Sequence, residues 1–328
     1  MRILFAGSPA IAVPSLSALS ELELEGKGVI LAGLLTNPDR RRGRHGLPEP
    51  TDVSAAAVTL DITRMKKGLL PIPQLKPEKL DARARNDAAA LSPDLLVSFA
   101  YGRIFGPRFL ALFPLGGINI HPSLLPKYRG ASPIPAAILA REKETGICIQ
   151  KIALEMDTGD ILVREQFALS GRETASALSE TVSQRAANLL RELLSGFAAK
   201  SAAASPQEGE ATYCSHIEKE AGLIDWKKSA EEIDAQIRAY TPWPLSFTQL
   251  GKDTLFILDA QCIEHHPEPL PCEKVSGTVL EIDKNRGILI QTGKGVLAVT
   301  RLQWQAKKAL DWKAFSNGVR DFAGAKLG

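Results

Sequence analysis

Asn119 and His121 stand two positions apart where an apolar run ends, in Gly116-Gly-Ile-Asn-Ile-His-Pro-Ser-Leu-Leu-Pro126. If the run is a buried strand, its period of two puts both side chains on one face. An Asn amide can donate to a developing oxyanion, and an imidazole moves protons near neutral pH. Downstream, Glu155-Met-Asp-Thr-Gly-Asp160 places carboxylates in a Gly-containing turn between two strand-like runs. An Asp beside a His can orient the ring and stabilise its cation. Taken singly, these motifs have ordinary readings: a turn-capping Asn with a satisfied His, and a turn, a metal site or an aspartic-protease-like signature for Asp-Thr-Gly-Asp. Taken together, Asn119, His121 and Asp157 suit acyl transfer to an amine.

Such groups need a rigid edge to stand on. The first half of the chain alternates short apolar runs with amphipathic stretches, the pattern of a parallel sheet with crossover helices. Strands are expected at Ile3–Ala6, Val29–Leu35, Leu95–Phe99, Gly117–Ile120, Ile147–Ala153 and Ile161–Phe167. Helices are expected at Ala10–Leu24, Pro77–Leu91, Ser132–Arg141 and Thr174–Ala199. In an α/β sheet of this kind ligands bind at the carboxyl edge of the strands, where Asn119 and His121 fall. The run Ser201–Gly209 is small, polar and aperiodic, and reads as a linker. Beyond it come a helix at Ala230–Tyr240 and strands at Thr254–Ala260, Gly277–Ile282, Gly287–Thr292 and Val296–Leu302, a small β-barrel or sandwich. The expected fold is thus α/β with a Rossmann-like first domain (1–200), a linker (201–209) and a mostly β second domain (210–328).

Composition narrows the function classes. The chain has 328 residues, 45% hydrophobic and 23% charged, with a net charge of +3. This is an ordinary soluble balance with no global signature of nucleic-acid binding. No apolar run approaches the length of a membrane span, and no signal peptide precedes the first strand. Cys148, Cys214, Cys262 and Cys272 lack C-x-x-C spacing, so neither a disulfide framework nor a zinc site is expected. A cytoplasmic protein with no metal follows, and a monomer is expected. Ala6-Gly-Ser-Pro9 lacks G-x-G-x-x-G, and Pro9 removes an amide donor, which argues against a dinucleotide site.

The order and spacing of Asn119-Ile-His-Pro-Ser-Leu-Leu-Pro126, Arg129-Gly130 and Asp157-Thr-Gly-Asp160 resemble the 10-formyltetrahydrofolate-dependent formyltransferases. Within that family the likeness is to the members acting on methionyl-tRNA. It extends to Phe5-Ala-Gly-Ser-Pro9, Thr36-Asn-Pro-Asp-Arg40, Phe99-Ala-Tyr-Gly102, Gly222-Leu-Ile-Asp-Trp226 and Pro242-Trp-Pro244. The resemblance implies an OB-like barrel as second domain. It implies that Asn119, His121 and Asp157 are catalytic, with a protonated His121 helping Asn119 to hold the oxyanion. Ser123, Leu124, Leu125 and Pro126 would contact the folate. Phe99, Ala100 and Tyr101, with Glu155, Met156 and Asp160, would wall the pterin pocket. The co-substrate would be 10-formyltetrahydrofolate and the acceptor initiator methionyl-tRNA. Glycinamide ribonucleotide, an amino sugar nucleotide or water are alternative acceptors, and a non-catalytic RNA-binding protein is the alternative class.

Arg40, Arg41, Arg42 and Arg44 lie in the connection after the second strand, either as phosphate contacts or as a solvated loop. In the family an insertion here reaches toward the acceptor end of the tRNA. This chain follows the arginines with His45-Gly-Leu-Pro-Glu-Pro-Thr-Asp52, an acidic stretch where the family pattern is basic. Lys284, Arg286, Lys294, Arg301, Lys307, Lys308 and Lys313 gather near the end of the chain, as one basic face or a generally solvated one. Trp226 and Trp243 are expected to pack.

Overall fold

A computed structural model of the chain describes residues 1–41, 46–263, 275–319 and 321–328. It divides into two compact units: Met1–Pro133 with Glu144–Ala168 and Ser179–Ser215, and Ile134–Lys143 with Leu169–Leu178 and His216–Gly328.

The first unit is built on a seven-stranded sheet. Its strands are β1 (Arg2–Gly7), β2 (Ile30–Leu35), β3 (Gln74–Leu75), β4 (Leu95–Phe99), β5 (Gly117–His121), β6 (Glu144–Lys151) and β7 (Ile161–Ala168), in the order β7-β6-β5-β4-β1-β2-β3. Five neighbours from β5 to β3 run parallel. The antiparallel β6 and β7 complete the sheet on the β5 side. All five residues of β4 are buried, as a central strand covered on both faces requires. On one face Leu4, Ala6, Leu35 and Leu96 pack against Tyr101, Phe105, Phe109 and Phe113. These four rings recur every four residues; the first two pairs stack at centroid separations of 5.4 and 5.5 Å, and the third is tilted at 5.7 Å.

The main helices up to Leu194 are α1 (Val13–Leu24), α2 (Asp52–Lys66), α3 (Ala82–Ala90), α4 (Pro133–Leu139) and α5 (Ala175–Leu194), of which α4 from Ile134 onward and the first residues of α5, to Leu178, belong to the second unit. Hydrophobic patterning does not reveal α2, and the reason is visible. Its buried side carries Val53, Ser54, Ala57 and Arg64, while Val58, Ile62 and Met65 are exposed. The apolar stripe therefore faces outward, and a buried Arg64 ion-paired to Glu23 of α1 takes its place inside. The α2 start is set by Thr51, whose hydroxyl accepts from Ser54 N at 3.2 Å; such a cap is worth about 1 kcal/mol. Asp81 caps α3 in the same way.

The expected linker is fastened along part of its length. Phe197–Ala202 is helical, and Ser205 exchanges two backbone hydrogen bonds with Ile161.

The second unit has α6 (Ala230–Ala239), capped by a reciprocal Ser229–Glu232 box, and an antiparallel sheet. Its main strands are β8 (Ser246–Leu250), β9 (Asp253–Ile263), β10 (Val279–Asp283), β11 (Gly287–Gln291) and β12 (Val296–Trp304), in the order β8-β9-β12-β11-β10, with Leu310–Asp311 added along β12. A last helix, α7, spans Trp312–Gly318. The core gathers Ile233 and Ile237 of α6 with Ile257, Ile288, Val299, Phe315 and Trp226. Trp226 packs as expected, its indole N–H donating to Thr248 Oγ1 at 2.9 Å. Trp243 does not: it is 53% exposed, its ring 6.2 Å from that of His216. The seven clustered Lys and Arg residues are all exposed.

Candidate active site

The parallel strands bring their carboxyl ends to one edge. Ser8, just past β1, and Thr36 and Asn37, just past β2, are joined there: Asn37 donates its backbone N–H and its amide to Ser8 Oγ at 3.1 and 3.0 Å. The same Asn37 amide donates to the Tyr101 carbonyl past β4 at 3.0 Å. Three loops are thereby tied beside the end of β5, which carries Asn119 and His121.

Asn119 pairs directly with Gln150 in the β5–β6 ladder, so the two amides emerge side by side. The loop after β6 returns Asp157 to them. Asp157 Oδ1 accepts from Gln150 Nε2 at 2.9 Å and from Asn119 Nδ2 at 3.4 Å. Its Oδ2 accepts from Gly130 N at 2.8 Å and lies 3.5 Å from His121 Nδ1. Asp157 has a φ of +56°, a left-handed conformation that a non-glycine residue adopts only when its surroundings impose it. Two glycines permit the close packing. A Cβ at Gly159 would strike the Lys151 carbonyl, and one at Gly130 (φ +119°) would strike that of Cys214.

His121 and Asp157 are nearly closed off from solvent, at side-chain exposures of 4% and 10%. The other ring nitrogen, Nε2, lies 2.9 Å from the Tyr128 carbonyl oxygen, an acceptor, so Nε2 carries the hydrogen. Burial is the larger influence on the ring and lowers its pKa; the Asp157 charge and the Tyr128 hydrogen bond oppose it. The ring therefore holds its second proton less readily than a free imidazole, although the carboxylate stands ready beside Nδ1 to stabilise it. The site thus offers an amide donor and a buried His–Asp pair, with Leu154, Glu155 and Met156 exposed in the loop that carries Asp157.

The family model for formyl transferase matches residues 1–194, and that for the formyl transferase C-terminal domain matches residues 216–320. The chain belongs to the formyl transferase family. This formyl transferase is 49% identical to the methionyl-tRNA formyltransferase of Treponema denticola over 98% of both chains. It is 43% identical to that of Treponema pallidum, covering 100% of this chain and 99% of the other. Solved structures share its fold at lower identity. WlaRD, a sugar 3N-formyl transferase solved with dTDP and 5-N-formyl-THF, matches with a TM-score of 0.62 at 19% identity, over 94% of this chain and 99% of that one. HypX from Aquifex aeolicus, solved with tetrahydrofolic acid, matches at 0.61 and 16%, over 98% of this chain; the formyl transferase spans only 48% of HypX.

The other residues singled out in the sequence are placed unevenly in this formyl transferase. Ser123 is buried, and its hydroxyl donates to the Lys127 carbonyl at 2.6 Å. Leu125 is buried with Cys148 and Ile161, and Leu124 closes over Gly146. Pro126 is also buried. These side chains shape the segment after His121 from within. Phe99 and Tyr101 are buried in the sheet edge and the aromatic stack, whereas Ala100, at φ +51°, is exposed between them. Asp160 is half-buried, and its main-chain carbonyl accepts from Lys151 N. Arg40 and Arg41 are exposed on a short strand that pairs with Pro48–Glu49. Arg42, Arg44 and Cys272 lie outside the described residues; Cys148, Cys214 and Cys262 are free thiols. Among the described residues no group of three or more His, Cys, Asp or Glu side chains could hold a metal ion, and no helix is long and apolar enough to cross a membrane. Gln150 is a site residue that sequence reasoning missed, since a Gln inside an apolar strand carries no chemical signature of its own.

Proposed function

We propose that the chain transfers the formyl group of 10-formyltetrahydrofolate to the α-amino group of methionine on initiator methionyl-tRNA. The observation that carries this reading is the convergence of Asn119, His121 and Asp157 at the carboxyl edge of the sheet. The names borne by full-length relatives at 43–49% identity supply the acceptor.

The neutral amine attacks the formyl carbon; a C–N bond forms and the carbonyl oxygen becomes an oxyanion. Asn119 Nδ2, whose 3.4 Å bond to Asp157 is long and easily redirected, donates to that oxyanion. The His121–Asp157 pair acts as one unit with respect to protons. A ring whose pKa is lowered by burial starts neutral, takes up the proton that the amine releases, and is stabilised as a cation by the carboxylate. The resemblance suggests a protonated His121, whereas burial of the ring favours its neutral form as the starting state. As the oxyanion returns to a carbonyl, the bond from the formyl carbon to N10 breaks, the His121–Asp157 pair gives its proton to N10, and tetrahydrofolate leaves. The backbone and exposed side chains of residues 99–101, 123–126 and 155–160 wall the folate. Arg40, Arg41, Arg42 and Arg44 meet tRNA phosphates, with residues 210–328 as the second, tRNA-positioning domain. The enzyme works as a cytoplasmic monomer without a metal.

The test is formyl transfer from 10-formyltetrahydrofolate to charged initiator tRNA, compared with glycinamide ribonucleotide and an amino sugar nucleotide. Turnover confined to methionyl-tRNA is expected. Preference for either small acceptor, or no transfer to any of the three, overturns the reading.

A further inference from the structure

Residues 195–215 fall between the two family matches, yet they reach the centre of the site. After Ser205 fastens to Ile161, the Gln207 side chain enters the loop that carries Asp157. Its Nε2 donates to the main-chain carbonyls of Asp157 at 2.8 Å and Gly159 at 2.9 Å, and to Gln150 Oε1 at 3.1 Å. Its Oε1 accepts from Arg129 Nε at 3.1 Å and Nη2 at 2.7 Å. The chain then runs beside the segment after His121. Tyr128 N donates to Thr212 Oγ1 at 2.8 Å, Arg129 N to Thr212 O at 2.9 Å, and Ala131 N to Cys214 O at 3.0 Å. Tyr213–Cys214 thus pairs in parallel with Arg129–Gly130. One short strap grips the Asp157 loop with a side chain and the Gly130 turn with its backbone; the first segment carries the Asp157 carboxylate and the second donates the Gly130 N–H to it.

We propose that Gln207 is a positioning residue for the transfer: it holds Asp157 in register with His121 and Asn119, through Gln150 and through the Asp157 and Gly159 carbonyls. This rests on the role given to Asp157 above. The chemistry of the side chain fits the place. A primary amide presents two N–H donors on one atom and an acceptor on the other, so its nitrogen can serve the three acceptors with one hydrogen shared between two of them while its oxygen meets a guanidinium. Gln150, 1% exposed, then passes the constraint on, because its oxygen is held by Gln207 and its nitrogen donates to Asp157 Oδ1. A glutamate at 207 would keep the Arg129 contact but turn an oxygen toward three acceptors. Ordinary packing at 207 predicts no such sensitivity to one atom.

The experiment compares the full-length wild type, Gln207→Ala, Gln207→Glu, Asp157→Asn and the double variants. Gln207→Ala should lower kcat about ten-fold while the folate KM changes by no more than about two-fold, with Gln207→Glu losing more. Added to Asp157→Asn, either change should cost little further, because residues acting through one another are not additive. Should Gln207→Ala fail to fold by its Tm, Gln150→Leu carries the same cycle from the other end of the link.

A second readout needs no turnover: the titration of His121 followed by NMR. The titratable groups around the ring are Asp157 and Cys214, whose thiol shares the Tyr128 carbonyl with it. Gln207→Ala should move the His121 pKa down, as the carboxylate is released, while the Cys214 thiol stays in place. An unchanged His121 titration overturns the inference. So does a kcat within about two-fold of an active wild type, or a loss that multiplies in full with Asp157→Asn. A wild type inactive on every acceptor defeats the proposed reaction instead and leaves the titration to decide the role of Gln207.

Discussion

The edge at Asn119, His121 and Asp157 and the hairpin at Arg40–Arg41 place charge in opposite ways. At the edge, one carboxylate accepts from Asn119, Gly130 and Gln150 and faces a ring that is itself almost fully buried. At the hairpin, two guanidinium groups stand exposed on a two-residue strand. The difference matches the two roles proposed for them. Stabilising charge at a single atom needs groups fixed beforehand in a medium of low polarity, where a misplacement of 1 Å is costly. Attracting a phosphate backbone needs mobile, solvated charge whose effect is long-ranged and screened by salt.

The sharpest way to break this contrast is at the edge. Asn119→Ala, His121→Ala and Asp157→Ala should each lower kcat by about 10²–10³, the scale of losing one oxyanion donor or its proton partner, while circular dichroism and Tm show an intact fold. Near-wild-type turnover in any variant removes that residue from the mechanism. At the hairpin the effect should be smaller and of another kind. Replacing Arg40, Arg41, Arg42 and Arg44 together by Gln should raise KM for methionyl-tRNA about ten-fold and leave folate binding unchanged. Each lost phosphate contact should also flatten the logarithmic salt slope by about 0.7–0.9. A slope equal to that of the wild type would show that these arginines meet no phosphate.

A third test turns on pH and reads stability alone. An unfolded chain binds the imidazole proton near pH 6.5, whereas burial makes the folded His121 bind it only at lower pH. The unfolded state then holds more protons in that window, so the stability from this group is complete above about pH 6.5 and is lost as pH falls through the folded value. The drop in urea midpoint between pH 7 and pH 5 should be smaller in His121→Gln than in the wild type; an equal drop refutes it. The smallest effect is expected from dialysis against a chelator, which should leave turnover unchanged. Activity lost there and restored by one added metal would overturn the metal-free reading.

What could be seen in the sequence, and what could not, follows the physics of each signal. Strand β4 and strand β5 were legible because buried parallel strands are continuous apolar runs. Asn119 and His121 were legible because polar atoms at the end of such a run are unusual. Helix α2 was hidden, since its apolar residues Val58, Ile62 and Met65 face outward and its inner side holds Arg64. Strand β8, Ser246–Leu250, escaped because its buried positions include Ser246 and Thr248, the latter taken up by the Trp226 indole. Gln207 could not be found from spacing: it lies 50 residues from Asp157 in a stretch of small polar residues, and its value comes from pairing that has no periodicity.

The strap also bears on the order in which the molecule is made. A chain leaves the ribosome from its amino end, and domains fold as they emerge. Strands β1 to β7 are complete once residue 168 is out, but Asp157 has no Gln207 and the Gly130 turn no partner strand until residues 207–214 follow. During synthesis the sheet can therefore exist before the contacts around Asp157 are complete, and if Gln207 positions Asp157 as proposed, a nascent chain gains its full site only once residues 207–214 have emerged.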